Sequence, residues 1–150
     1  MNSPFKLSSQ PFFLTLTIAL TLTPTLNLKA QTIYQPITMG SNQEISDVLT
    51  VQDIPTGEGG FYRDYKIKLN QGDQVAIDLI SDDFDTKVFL IGADGTAIAE
   101  NDDGPDGTTN SLLFVRITEE EEYIVRVSAF GETGGGKFTL KVTRLEPIDK

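Results

Sequence analysis

Residues 61–80 read FYRDYKIKLNQGDQVAIDLI. Tyr65, Ile67 and Leu69 alternate with Asp64, Lys66 and Lys68. Period two sends successive side chains to opposite faces, so this stretch predicts a half-buried strand. Asn70-Gln71-Gly72-Asp73 supplies turn residues. Gln74 to Ile80 then resumes the alternation, with Val75, Ile77 and Leu79 on one face.

The same grammar runs outward in both directions. Downstream lies SDDFDTKVFLIGADGTAIAENDDGPDGTTNS, residues 81–111. Val88 to Ile91 is a continuous apolar run, expected of a central strand buried on both faces. Asp94-Gly95 is a tight turn, because glycine supplies the positive φ that hairpins need. Ala97 to Ala99 is the returning strand, and Asn101 to Thr109 a long loop. Leu112 to Ile117, Tyr123 to Phe130 and Phe138 to Val142 are further strands, separated by Glu119–Glu122 and the glycine-rich turn 131–136. Upstream, Asp53 to Gly60 is a loop by its Pro and Gly content. Ile45, Val48, Leu49 and Val51 mark a first strand, and Ile33-Tyr34 a short one within a polar lead-in, residues 31–43. About eight strands without a helical period predict an all-β sandwich or barrel.

The first thirty residues form a different segment. Lys6 precedes an apolar run, Pro11 to Leu22, and Ala30 is a small residue suited to cleavage. This reads as a Sec-type signal peptide over residues 1–30, too short for a span of ~20 apolar residues. All 22 acids lie after Ala30, and two of the 12 basic residues lie before it. The exported chain is therefore strongly acidic, at about −12. Such a surface repels phosphate backbones, so neither nucleic acid nor an anionic membrane is expected as a partner. The chain has no Cys and no His, which removes disulfides, thiol chemistry and the commonest general base. Secretion or a periplasmic location, a monomer and no enzymatic activity are the expectations.

The ordered motifs carry a resemblance. Arg63-Asp64-Tyr65-Lys66-Ile67 is followed by Gly72-Asp73-Gln74-Val75 and by Ser81-x-x-Phe84-Asp85-Thr86. Then come Ala93-Asp94-Gly95, Asn101-Asp102-Asp103, Asn110-Ser111, Tyr123-Ile124-Val125-Arg126-Val127 and Gly136-Lys137-Phe138. Over about residues 44–144 the chain resembles the bacterial pre-peptidase C-terminal domain family. That resemblance implies a jelly-roll-like antiparallel β-sandwich over residues 44–146. It implies a non-catalytic module, usually appended to secreted proteases, that serves secretion, substrate binding or protease modulation. This chain carries no protease domain. Some relatives hold calcium, and Asp64 sits near where one of their ligands would fall, but their acidic N-terminal linker is thin here, at Glu44 and Asp47.

The acidic clusters have two readings. Asp83, Asp85, Asp102, Asp103 and Asp106, with Asn110, offer the oxygen ligands that calcium takes. The same residues cap turns by accepting from nearby backbone N–H groups, and Asp85 could bond Ser111 Oγ. The spacing is not that of an EF-hand. Tyr62, Tyr65 and Tyr123 could form a ligand platform, although strand spacing also places them in cross-strand packing. The functional expectation is an accessory module that engages an extracellular protein, peptide or protease partner. A carbohydrate-binding module is the alternative, weakened by the absence of Trp.

Overall fold

The computed structural model describes residues 34–105, 107–131 and 134–146. Among them the alternating stretches become ten strands. These are β1 (Ile37–Thr38), β2 (Gln43–Val48), β3 (Ile54–Pro55), β4 (Phe61–Leu69) and β5 (Gln74–Ile80). They continue as β6 (Thr86–Ile91), β7 (Ala97–Asn101), β8 (Ser111–Arg116), β9 (Glu121–Ala129) and β10 (Lys137–Leu145).

Two sheets pack face to face. The larger runs β1-β4-β9-β6-β7, with β3 also on β4, and the smaller runs β2-β10-β5-β8. Every pairing is antiparallel except β1 with β4. The chain crosses between sheets at each of β4→β5, β5→β6, β7→β8, β8→β9 and β9→β10. This is the antiparallel-rich all-β sandwich that the alternation predicts.

The alternation also builds the core. Tyr65, Ile67 and Leu69 on β4 and Val125 and Val127 on β9 face Val75, Ile77 and Leu79 on β5 and Leu140 and Val142 on β10, all at 0–1% exposure. Phe138 meets Tyr65 and Phe84 edge to face, at 6.3 and 6.4 Å between ring centroids. Offset aromatic pairs of this kind add to the gain from burial alone.

Some expectations change. Val88 and Leu90 are fully buried, but Phe89 and Ile91 face outward and are half-buried. β6 is internal to its sheet without being covered on both faces, because among the described residues no further layer packs on the outer side of the larger sheet. Val51 is 77% exposed, since β2 stops at Val48 and a turn begins at Val51. The strand expected at Ile33-Tyr34 appears instead at Ile37–Thr38, and Ile33 lies outside the described residues. The signal peptide also lies outside them. The 53–60 loop contains β3, where Pro55 sits on a sheet edge that needs no N–H.

The lead-in is part of the sandwich. Met39 enters the core at 4% exposure, and its N–H donates to Lys66 O at 2.9 Å. β1 and β3 thus cover the edge of β4 at Tyr65–Lys66 and at Phe61–Tyr62. Val48 N–H, on edge strand β2, is met by its neighbour Asp47 Oδ1 at 2.8 Å. Asp47 also pairs with Arg63 at 2.6 Å and accepts from Tyr65 Oη at 2.8 Å.

Leu140→Ala would remove a side chain at 0% exposure from the middle of the smaller sheet. Urea unfolding should show a loss of about 2–5 kcal/mol. Ile98→Ala, at a position 48% exposed, should change stability by less than about 0.5 kcal/mol.

Candidate functional site

The motif residues converge on one joint between the sheets. Ser81 Oγ accepts from Asp83 N and Phe84 N, at 3.0 and 3.2 Å, and donates to Lys137 O at 2.8 Å. Ser81 N donates to Asn110 Oδ1 at 3.0 Å. Thr86 Oγ1 and Ser111 Oγ meet at 2.7 Å, with Thr86 N donating to Thr109 O at 2.9 Å. Asn101 Nδ2 donates to Asp103 O and Leu112 O, both at 2.8 Å, and its Oδ1 accepts from Asp102 N at 3.1 Å. Short polar side chains therefore satisfy the backbone where both sheets begin and end their strands, which is what burial demands.

The four described acidic residues, Asp83, Asp85, Asp102 and Asp103, make different contacts. Asp83 Oδ2 accepts from Lys137 N at 2.7 Å, and a Cβ on Gly136 would run into the Asp83 side chain. Asp83 is a strut against the start of β10. Asp85 O accepts from Phe130 N at 2.8 Å, while Ser111 Oγ goes to Thr86 rather than to Asp85. Asp85, Asp102 and Asp103 do come close. Burial, and then the charges of Asp102 and Asp103, push the Asp85 carboxyl above its usual range. Asp106 lies outside the described residues. Among the described residues no group of three or more acidic side chains is placed to hold a metal ion. Asp64, the position that the resemblance places near a calcium ligand, is taken up by a guanidinium.

That guanidinium belongs to a second cluster, on the outer face of the larger sheet. Asp64 is 4% exposed although it points away from the core. Arg126 Nε and Nη2 donate to its two oxygens, each at 2.8 Å. Tyr34 Oη donates to Asp64 Oδ2 at 2.6 Å, so the lead-in covers the pair. Burial and the bond to Asp64 raise the Tyr34 hydroxyl to about 12. The Arg126 guanidinium stacks 3.6 Å from the centre of the Tyr62 ring. Beside it, Lys87 Nζ lies 4.9 Å from the Phe89 ring centre and 3.0 Å from Glu100.

Two hollows flank Arg126. One, of about 300 Å³, is lined by Tyr62, Lys87, Phe89 and Phe130. The other, of about 410 Å³, is lined by Tyr34, Lys66, Ile91 and Ile124. A third, of about 440 Å³, lies on the smaller sheet between Val48, Ile80, Asp82 and Lys137. Of the three tyrosines read from the sequence, Tyr65 and Tyr123 are core residues, at 0% and 2% exposure. Tyr62 alone of these belongs to the outer face. The Asp64–Arg126 contact spans 62 residues, and only the β4–β9 register, Asp64 opposite Arg126, brings it about.

Two antiparallel-rich sheets joined by small polar side chains, with an aromatic and cationic outer face, define an all-β sandwich. Residues 61–129 match the family model of the bacterial pre-peptidase C-terminal domain. The domain family is a non-catalytic one. Among solved structures, the pre-peptidase C-terminal domain of a Bacillus anthracis collagenase is similar. It is 13% identical with a TM-score of 0.55, over 73% of this chain and 95% of that one. A periplasmic inhibitor of g-type lysozyme from Aeromonas hydrophila is 12% identical with a TM-score of 0.52, over 74% of this chain and 98% of that one. Both likenesses are of fold. No curated protein matches the sequence. Among the described residues no helix is long and apolar enough to cross a membrane.

A carboxyl held above its usual value favours the protonated folded state. Stability therefore falls as pH rises from 3.8 through the folded value of Asp85. Asp85→Asn keeps the backbone bond to Phe130 and removes the repulsion. Thermal unfolding at neutral pH should show the variant melting above the parent, and the two should converge below pH 3.8.

Proposed function

We propose that this protein is an exported, non-catalytic binding module that engages an extracytoplasmic protein or peptide partner on the outer face of the larger sheet. The observation that carries the reading is the row Tyr62–Arg126–Phe89 with its two flanking hollows. Tyr, Arg and large aromatic side chains are the groups that anchor protein interfaces. Arg126 is held in place by Asp64, so little side-chain freedom is lost when a partner lands on it. Two sandwiches of this fold lend support: one belongs to a collagenase and the other is a lysozyme inhibitor. A carbohydrate platform fits less well, because Arg126 lies over the Tyr62 ring and Lys87 over the Phe89 ring.

In this reading, residues 1–30 are the leader and 44–146 the module, to which the lead-in, residues 31–43, adds β1 and the Met39 side chain. The carboxylates of Asp83, Asp85, Asp102, Asp103 and Asp106 shape loops, and calcium is an addition to be tested rather than a requirement.

Immobilised protein exposed to the exported fraction should retain a partner that Tyr62→Ala and Phe89→Ala each weaken by at least about tenfold. Retention unchanged in both variants would remove the sheet face from the reading, and a signal on a glycan array would favour the carbohydrate alternative. For the loops, the melting temperature should be the same in calcium and in chelator. A ligand of the native state raises stability by mass action. A calcium-dependent rise that Asp102→Ala abolishes would therefore make these residues a metal site.

A further inference from the structure

The four lateral edges of the sandwich are not finished alike. The edge of β4 is covered in part by β1 and β3, and Asp47 meets the outward N–H of Val48 at the end of β2. β8 is finished only at its start. Leu112 N donates to Asp103 O at 3.0 Å, and Leu112 O accepts from Asn101 Nδ2. The backbone groups of Leu112 therefore point away from β5. The other end fixes the same parity. Ile117 N donates to Asp73 O and Ile117 O accepts from Gly72 N, both at 2.8 Å on the β5 side. Backbone direction alternates along a strand. Phe114 and Arg116 must then point their N–H and C=O groups outward, where no further strand pairs with β8 among the described residues.

An open row of this kind is a template for another strand, and proteins usually blunt it with Pro, a bulge or Lys. β8 reads SLLFVR and carries one charged residue, Arg116, at its far end, with no Pro. Phe114 is 64% exposed on the outer face of the smaller sheet, opposite small, buried Ala76. That leaves a flat apolar step beside the open backbone.

Charge selects the occupant. Asp102 and Asp103 stand beside the start of β8 and Glu119 follows its end. Asp78 lies opposite Leu112 on the outer face. The whole chain carries a net charge of −10. We propose that the free edge of β8, from Phe114 to Arg116, receives an extended cationic segment of a protein partner as an added strand. The added backbone takes up the outward groups of Phe114 and Arg116, an apolar side chain lies on the Phe114 ring, and basic side chains at the ends meet Asp103 and Glu119. Strand addition gives affinity through the main chain and selectivity through alternate side chains. This surface lies on the other sheet from the Tyr62–Arg126 row and stands independently of it.

The probe is a peptide of about six residues alternating lysine and valine, the length of an ordinary strand. Titrated into isotope-labelled protein, it should shift the Phe114 and Arg116 amide signals. Hydrogen exchange at those two amides should slow by about tenfold or more at saturation. A glutamate–valine peptide at the same concentration should leave them unchanged, and added salt should weaken the lysine peptide. Phe114→Pro removes the outward donor without touching the ladder to β5, and it should abolish the effect while the fold persists. If that variant fails to fold, Phe114→Lys, a guarded edge, should give the same loss. Exchange at Phe114 and Arg116 that does not slow, equal binding of the glutamate peptide, or both amides already protected by a second copy of this chain would each overturn the proposal.

Discussion

Thr86 and Ser111 touch side chain to side chain at 2.7 Å, at 0% and 2% exposure. Thr86 begins β6 in one sheet and Ser111 begins β8 in the other. Ser111 Oγ also lies 2.9 Å from Thr86 O, and Thr86 Oγ1 lies 3.0 Å from Thr109 O. The Ser111 hydroxyl thereby satisfies the Thr86 carbonyl, and a buried backbone group of that kind left unpaired costs about 1–3 kcal/mol. The neighbouring bonds of Ser81, Asn101 and Asn110 depend on this spacing, because they hold the loops that leave and re-enter the same joint. The acidic residues around it are the solvent side of that arrangement.

The outer face of the larger sheet rests on a different constraint. Asp64 is a carboxylate removed from water, and such a group stays only when its oxygens are bonded. Arg126 supplies two bonds and Tyr34 a third. Meeting that need fixes the guanidinium where it stacks on Tyr62 and lines both hollows. The lead-in is drawn into the fold for the same reason, with Tyr34 at one end and Met39 in the core at the other.

Period-two alternation made β4, β5, β9 and β10 legible, because their inner faces are mainly apolar and their outer faces mainly polar. It misled at β6, where Phe89 and Ile91 are apolar yet outward: sequence pattern alone does not separate a covered face from an apolar exposed one. It also placed Val51 in a strand, although the chain turns after Leu49. The joint was legible as a set of motif residues but not as a set of bonds. Asp85 was the expected partner of Ser111, whereas Thr86, one residue on, points inward and takes that place. The Asp64–Arg126 pair was hidden because strand register, and not proximity in the chain, creates it.

The order of strands in space has a consequence for how such a chain can be made. β9 lies between β4 and β6, and β10 lies between β2 and β5. The last two strands to leave the ribosome are thus the central ones of their sheets. Until they arrive, β4 has no long neighbour and β2 has none at all. Folding that waits for contacts so distant in sequence is slow. Until β9 and β10 arrive, the inner faces of both sheets stay open and the edges of β2 and β4 stay unpaired by a long strand.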